Sequence, residues 1–230
     1  MNPLVLGDGI LATELVKQTG WRFISRKKNK IDFTQPGSYS GLLKGCDVIV
    51  NCIACTDTYS TDKQAHWDVN YKGVAELVRL CNLYRSKLVH ISTDYIYANS
   101  ESHATEETIP QPVNTWYGHT KMLGDAHVQM AADNYLVIRE SHKPYPFPYP
   151  FAWDDQVTNG DYVTVIARLI IQLVNTNKEG VYNVGTPDKT WYNLTKDEFN
   201  TQPNQSAPAV PKDITMNLTK LNNATKDINQ

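Results

Sequence analysis

Long hydrophobic runs are missing from this sequence of 230 residues. Its apolar runs, such as Val48-Ile49-Val50 and Leu169-Ile170-Ile171, fall far short of the roughly 20 apolar residues that span a bilayer. A surplus of either charge is missing too. With 22 Lys+Arg against 24 Asp+Glu the net charge is −2, which argues against a chain built to neutralise nucleic-acid phosphate. Cysteine is scarce, and Cys46, Cys52, Cys55 and Cys81 suit a reducing compartment better than a disulfide framework. Cys52-x-x-Cys55 is the one close pair. It lacks two further ligands at zinc spacing, and His66 stands alone, so buried thiols are expected and no metal site. The N-terminus lacks a basic leader, and Asp8, Gly9 and Glu14 interrupt its apolar stretch, unlike a signal peptide. Asn-x-Ser/Thr triplets at Asn193, Asn204, Asn217 and Asn223 are then chance matches in an Asn-rich tail. What is present, 41 % hydrophobic and 20 % charged residues, can furnish a core. The expectation is a globular cytoplasmic protein with neither nucleic acid nor membrane as partner, built as one large domain or one domain with a small lobe.

Short apolar runs alternate with helical patterns. Pro3–Leu6, Arg22–Ile24, Asp47–Asn51, Lys87–Ser92 and Tyr135–Arg139 read as strands, with a further one at Gly180–Val184. Helices are expected after Gly9, over Asp62–Tyr84, where Val69, Gly73, Leu77 and Leu80 share a face, over Asn114–Ala132 and over Asp161–Val174. Apolar strands separated by helices predict an α/β fold, a doubly wound parallel sheet covered on both faces. Residues 1–140 would form a Rossmann-type sheet domain. Residues 141–230 would form a small lobe interleaved with the last helix and strand of the sheet. Within it, prolines 144, 146, 148 and 150 alternate with aromatic residues and exclude a helix, and the polar stretch from Thr186 to Gln230 reads as loosely structured.

Gly7-Asp8-Gly9-Ile10-Leu11-Ala12 follows the first strand and opens a helix, where a dinucleotide pyrophosphate meets free N–H groups and the positive end of the helix dipole. The end of the second strand distinguishes the two nicotinamide dinucleotides: an acid bonds the ribose 2′-hydroxyl, and basic residues accept a 2′-phosphate. Here Ser25-Arg26-Lys27-Lys28-Asn29-Lys30 has no acid before Asp32. Ser25, Arg26 and Lys27, with Asp32 and Phe33 beyond them, are the candidate contacts, and the bias is to NADP(H) with NAD(H) second. A third constellation joins Ser92-Thr93-Asp94, at the end of the fourth strand, to Tyr117-Gly-His-Thr-Lys121. Tyr and Lys at i and i+4 share a helix face. A neighbouring ammonium is expected to favour phenolate and lower the tyrosine pKa, while Thr93 points into the ligand crevice.

These residues give the chain a resemblance to the extended short-chain dehydrogenase/reductases, within which it is most similar to the dTDP-4-dehydrorhamnose reductase branch. Ser92-Thr-Asp-Tyr-Ile-Tyr97 and Tyr117-Gly-His-Thr-Lys-Met-Leu-Gly124 look like that branch's strand-four and catalytic-helix motifs. Val50-Asn51-Cys52-Ile53-Ala54 looks like its strand-three end beside the cofactor phosphates, and Asn70 matches its helix asparagine. The likeness covers about residues 3–140 and continues weakly to Leu221.

The resemblance implies Thr93, Tyr117 and Lys121 as catalytic trio with Asn70 in support, hydride from NADPH, and a proton from Tyr117 to a nucleotide-sugar ketone. It further implies Thr93, Asp94, Tyr95, Ser141, His142, Lys143 and Trp153 on the substrate side, although a cap or loop bond is the first expectation for Asp94. The glycine motif is one residue tighter than the family's, and the substrate lobe looks trimmed. After Arg139-Glu140-Ser141 the family's tryptophan segment gives way to His142-Lys143 and the Pro-aromatic run, which reads equally as a lip over the sugar and as a proline-rich surface ligand. Two alternatives stand beside a reductase. One is a nucleotide-sugar epimerase or dehydratase with tightly held NAD. The other is a non-catalytic subunit of a partner enzyme, like the methionine adenosyltransferase β subunit. A homodimer through helices 62–84 and 114–132 is the default assembly.

Overall fold

The structure, a computed structural model, describes residues 1–226, so the last four residues of the expected 141–230 lobe lie outside the described residues. The chain runs β1 (Pro3–Leu6), α1 (Ile10–Thr19), β2 (Arg22–Ile24), α2 (Arg26–Asn29), α3 (Ser40–Leu43), β3 (Val48–Asn51), α4 (Lys63–His66), a π-helical stretch Trp67–Lys72, α5 (Gly73–Tyr84), β4 (Lys87–Ile91), α6 (Trp116–Ala131) and β5 (Tyr135–Arg139). It continues with β6 (His142–Lys143), β7 (Phe151–Trp153), β8 (Val157–Thr158), β9 (Asp161–Tyr162), α7 (Val163–Asn175), β10 (Gly180–Asn183), β11 (Lys189–Thr190), α8 (Trp191–Phe199), β12 (Gln202–Asn204) and α9 (Thr219–Lys226). No described helix is long and apolar enough to cross a membrane.

The central sheet has six parallel strands in the order β10-β5-β4-β3-β1-β2. β1, β3 and β4 are buried along their whole length, as strands covered on both faces are, with Asn51, Lys87 and His90 the buried polar residues among their apolar ones. One face carries α1, α7 and α9 through Leu11, Leu15, Ile166, Ile170 and Leu221, and the other carries α3, α5 and α6 through Leu43, Leu77, Leu80 and Val128. The winding direction reverses between β1 and β3, so their carboxyl ends diverge and open the crevice where doubly wound sheets bind ligands.

The helix expected over 62–84 begins with Asp62, whose carboxylate accepts from the Ala65 amide. It then widens into the π-helical stretch, where α6 crosses it. At Gly124 of α6 a Cβ would stand 2.3 Å from the Asn70 carbonyl oxygen, so only glycine lets the two backbones approach this closely. A buried ion pair ties α6 to β5: Arg139 donates from Nη2 and Nε to Asp125, both at 3.0 Å, and Nη1 donates to the Tyr97 hydroxyl.

Beyond β5 the chain builds a second lobe of two-stranded pairs, β6 with β9, β7 with β12 and β8 with β11, around Phe147, Ala152, Tyr162 and Trp191. The stretch from Thr186 corrects the loose reading. It holds α8 and α9 and buries Trp191, Val210, Ile214, Met216 and Leu221. Its polar residues close turns rather than solvating a coil. Thr190 caps α8 by accepting from the Asn193 amide, Asp213 accepts from the Thr215 amide, and Asn217 accepts from the Thr219 amide.

Candidate active site

Two cavities that share a wall lie at the carboxyl edge of the sheet, and a third lies in the second lobe. The first, of about 380 Å³, is floored by the turn at Gly7, Asp8 and Gly9 and walled by Ile53, Ala54, Phe33, Arg26 and Lys27. Gly7 has φ +114 and faces Cys52 and Ile53, a conformation that favours glycine. Gly9 caps α1 without any side-chain hydrogen bond, leaving the first-turn amides at Ile10, Leu11 and Ala12 as a ready anion site. A Cβ at Gly9 would meet nothing within 4 Å. Open room above an uncapped helix end, with two exposed cationic side chains at the far rim, fits a dinucleotide bearing a 2′-phosphate.

The second cavity, of about 350 Å³, shares Gly9, Cys52, Ala54 and Thr56 with the first and brings together Thr93, Tyr117, Lys121, Glu140, Ser141 and His142. Thr93 is buried at the end of β4. Its hydroxyl donates to Asp94 Oδ1 at 3.3 Å and accepts from the Tyr95 amide. Tyr117, Lys121 and Asp125 follow one another along a single face of α6. The ammonium of Lys121 donates to the Ile91 carbonyl at 2.6 Å. Burial brings its pKa down to about 8, against the pull of Asp125 and Glu140. The expectation that this ammonium lowers Tyr117 is corrected. Burial first, then the carboxyls of Asp94 and Glu140, push the phenol up despite the neighbouring Thr93 hydroxyl. Tyr117 is therefore held as a proton-bearing phenol.

Asp94 is fully buried, and burial with the neighbouring Glu140 raises its pKa to about 8. Its carboxyl accepts from the Thr93 and Thr158 hydroxyls, side-chain bonds in place of the expected cap or loop bond, and its amide donates to the Glu140 carbonyl. A dehydratase would need an acid–base pair, Asp94 with Glu140, that sequence position alone does not establish. Glu140 follows the end of β5 and lines the cavity, its Oε2 2.8 Å from His142 Nδ1. β6 turns His142 into this cavity and Lys143 into the third one, about 410 Å³ in volume, among Phe147, Tyr149, Phe151, Trp153 and Trp191. The Lys143 ammonium lies 4.5 Å from the Trp191 ring centre and 5.4 Å from that of Trp153. The Pro-aromatic run thus splits its residues: Phe147 enters the lobe core, and Tyr149 and Phe151 form an exposed rim.

Other candidates stand back from the crevice. The Asn70 side chain is buried and spent on the Cys55 amide and carbonyl and on Thr120 Oγ1, pinning the loop after β3 to α6. Asn51 pairs with His90 and accepts from the Ile53 amide, shaping the same loop from below. Ser25 is buried as the N-cap of α2, accepting from the Lys28 amide, so the expected basic loop is a helical turn presenting Arg26 and Lys27. Asp32 accepts from Thr34. The Tyr95 ring packs edge-on at 6.5 Å from Tyr117, with its hydroxyl near Gln156. Among the described residues no His, Cys, Asp and Glu cluster could hold a metal.

A parallel doubly wound sheet with a glycine turn at its switch point and a Thr, Tyr and Lys trio facing it defines a protein of the extended short-chain dehydrogenase/reductase type. The family model described as the RmlD substrate binding domain matches residues 1–142, and the chain belongs to that family. The dTDP-4-dehydrorhamnose reductase of Mycobacterium tuberculosis is 29 % identical over 174 residues, covering 70 % of this chain and 53 % of its own length. A dTDP-4-keto-6-deoxy-D-glucose reductase of Streptomyces niveus is 28 % identical over 171 residues, 66 % of this chain and 59 % of its own. The chain thus spans a little over half the length of these curated relatives. A hypothetical dTDP-4-dehydrorhamnose reductase from Sulfolobus tokodaii shares the fold at TM-score 0.83 and 23 % identity, covering 97 % of this chain and 94 % of that one. The Bacillus anthracis dTDP-4-dehydrorhamnose reductase, solved in complex with NADP, does so at TM-score 0.82 and 20 % identity, covering 96 % and 90 %.

Proposed function

We propose that the chain is an NADP-dependent reductase of a 4-keto-6-deoxy nucleotide sugar. The observation that carries this reading is the meeting of Thr93, Tyr117 and Lys121 in a cavity that shares its wall with the glycine turn. NADPH would lie over the α1 N-terminus with its 2′-phosphate toward Arg26 and Lys27, and would supply the hydride. The phenol of Tyr117 donates its proton to the oxygen of the ketone being reduced, and the Thr93 hydroxyl, turning its proton away from Asp94, donates a hydrogen bond to the same oxygen. With one donor spent on Ile91, Lys121 keeps two for the nicotinamide ribose hydroxyls. Asn70 serves by holding the loop after β3, outside the cavity. The relatives' names, a dTDP-4-dehydrorhamnose reductase and a dTDP-4-keto-6-deoxy-D-glucose reductase, support a dTDP-linked ketosugar. A homodimer through the outer faces of α5 and α6, where Leu83 and Met130 are exposed, belongs to the same proposal.

The test is oxidation of NADPH by the purified protein with dTDP-4-keto-6-deoxy sugars, followed by absorbance. Turnover is expected, with Tyr117→Phe slower by about 10²–10⁴-fold while still binding NADPH. Failure of the protein to bind either reduced nicotinamide dinucleotide would overturn the reading and move the search to copurifying proteins.

A further inference from the structure

Ketone reduction needs one proton donor at the carbonyl oxygen, a place Tyr117 and Thr93 already fill. The same cavity holds a second acid–base pair that reduction leaves unused. Glu140, at the end of β5, is 4 % exposed, and its Oε2 lies 2.8 Å from Nδ1 of His142, the first residue of β6. A carboxylate on one ring nitrogen fixes the proton there and leaves Nε2 free as a base. The charged and titratable groups around the pair are Asp94 of the turn after β4, Lys143 beside it on β6, Tyr117 and Lys121 of α6, and Cys52 after β3.

We propose that Glu140 and His142 form a general-base dyad that removes a proton from a carbon next to the ketone, so that this site epimerises its ketosugar as well as reducing it. The substrate class rests on the reductase reading. In the step the C–H bond beside the carbonyl breaks and its proton passes to His142 Nε2. The electron pair becomes the enolate, whose oxygen accepts hydrogen bonds from Tyr117 and Thr93. Return of a solvent-derived proton to the carbon restores the ketone, and its delivery to the opposite face inverts the centre. No oxidant or reductant is consumed.

The experiment incubates the full chain in D2O with NADP⁺, which carries no hydride to transfer, and dTDP-4-keto-6-deoxyglucose. Deuterium is read by mass spectrometry and NMR. Incorporation beside the ketone is expected at least about tenfold above the enzyme-free rate, rising with pH as His142 loses its proton. Because Glu140 lifts the His142 pKa above its ordinary value despite burial, Glu140→Gln should slow exchange and move the midpoint of the pH profile down. A merely structural role would leave that midpoint in place. His142→Gln, at a half-buried position expected to fold, should lower exchange at least about tenfold. Background exchange by a protein that oxidises NADPH with a ketosugar overturns the dyad alone, as does full exchange by His142→Gln. Absence of both exchange and NADPH oxidation overturns the reductase reading and the dyad with it.

Discussion

Asp94 shows how a residue's surroundings decide its charge. Burial and Glu140 raise its carboxyl from the ordinary range to about 8, so between about pH 4 and pH 8 the folded chain keeps a proton that the unfolded chain has released. Stability attached to this group is therefore full below pH 4 and falls as pH rises toward 8. Asp94→Asn keeps an acceptor for Thr93 and carries no charge. Its melting temperature should match wild type near pH 4 and exceed it progressively toward pH 8, by about 2–4 °C for each kcal/mol of relieved penalty. A parallel pH series of melting curves checks this, and a constant offset would show that Asp94 is not titrating. The comparison belongs below pH 8, because Lys121 titrates above it with the opposite sign. Tyr117 and Lys121 were legible in the sequence because their four-residue spacing fixes a shared helix face. The sign of the shift at Tyr117 was not. It depends on which groups approach across the sheet, and Glu140 stands more than twenty residues further on, just past the end of β5, without any pattern of its own.

Elements were read where hydrophobic periodicity drives them and misread where polar side chains do. The six strands and the helices over α1, α5, α6 and α7 follow from apolar spacing. The π-helical stretch, the turn of α2 and the whole of α8 and α9 do not, since their stability comes from caps, Asx turns and a crossing helix. Two glycines separate packing from binding. Gly124→Ala gains about 1 kcal/mol of helix propensity, but its Cβ would meet the Asn70 carbonyl oxygen at 2.3 Å, a backbone atom that moves only with its helix. A net loss of about 1–3 kcal/mol is expected in urea denaturation. Gly9 has an ordinary φ of −69 and open space over its Cβ position, so Gly9→Ala should melt like wild type. The added methyl stands where the pyrophosphate would pass, and NADPH affinity should fall by at least about tenfold. A fluorescence titration beside the melting curve reads both effects, and intact NADPH binding by Gly9→Ala would place the dinucleotide elsewhere.

At the scale of the molecule, the site is a seam between a sheet that folds on its own hydrophobic pattern and a lobe stitched on by short strand pairs. The first was legible and the second largely was not, because two-residue strands such as β6 and β8 carry no periodicity. Their positions are set by partners distant in sequence, as β8 is by β11. Ligand binding should couple to the stability of the whole chain through the first cavity. A dinucleotide that binds only the folded state at a hundred times its Kd stabilises by about 2.7 kcal/mol, which for a chain of this size is a rise of about 5–11 °C in Tm. Net charge is nearly balanced, so any preference between the two dinucleotides must come from local charge, and Arg26 and Lys27 are the cations at the rim. At equal concentrations NADPH should raise Tm more than NADH, and Arg26→Ala should close most of that gap while leaving the NADH shift in place. Loss of both shifts in Arg26→Ala would mean that the turn of α2 supports the fold of the cavity instead of reading the 2′-phosphate.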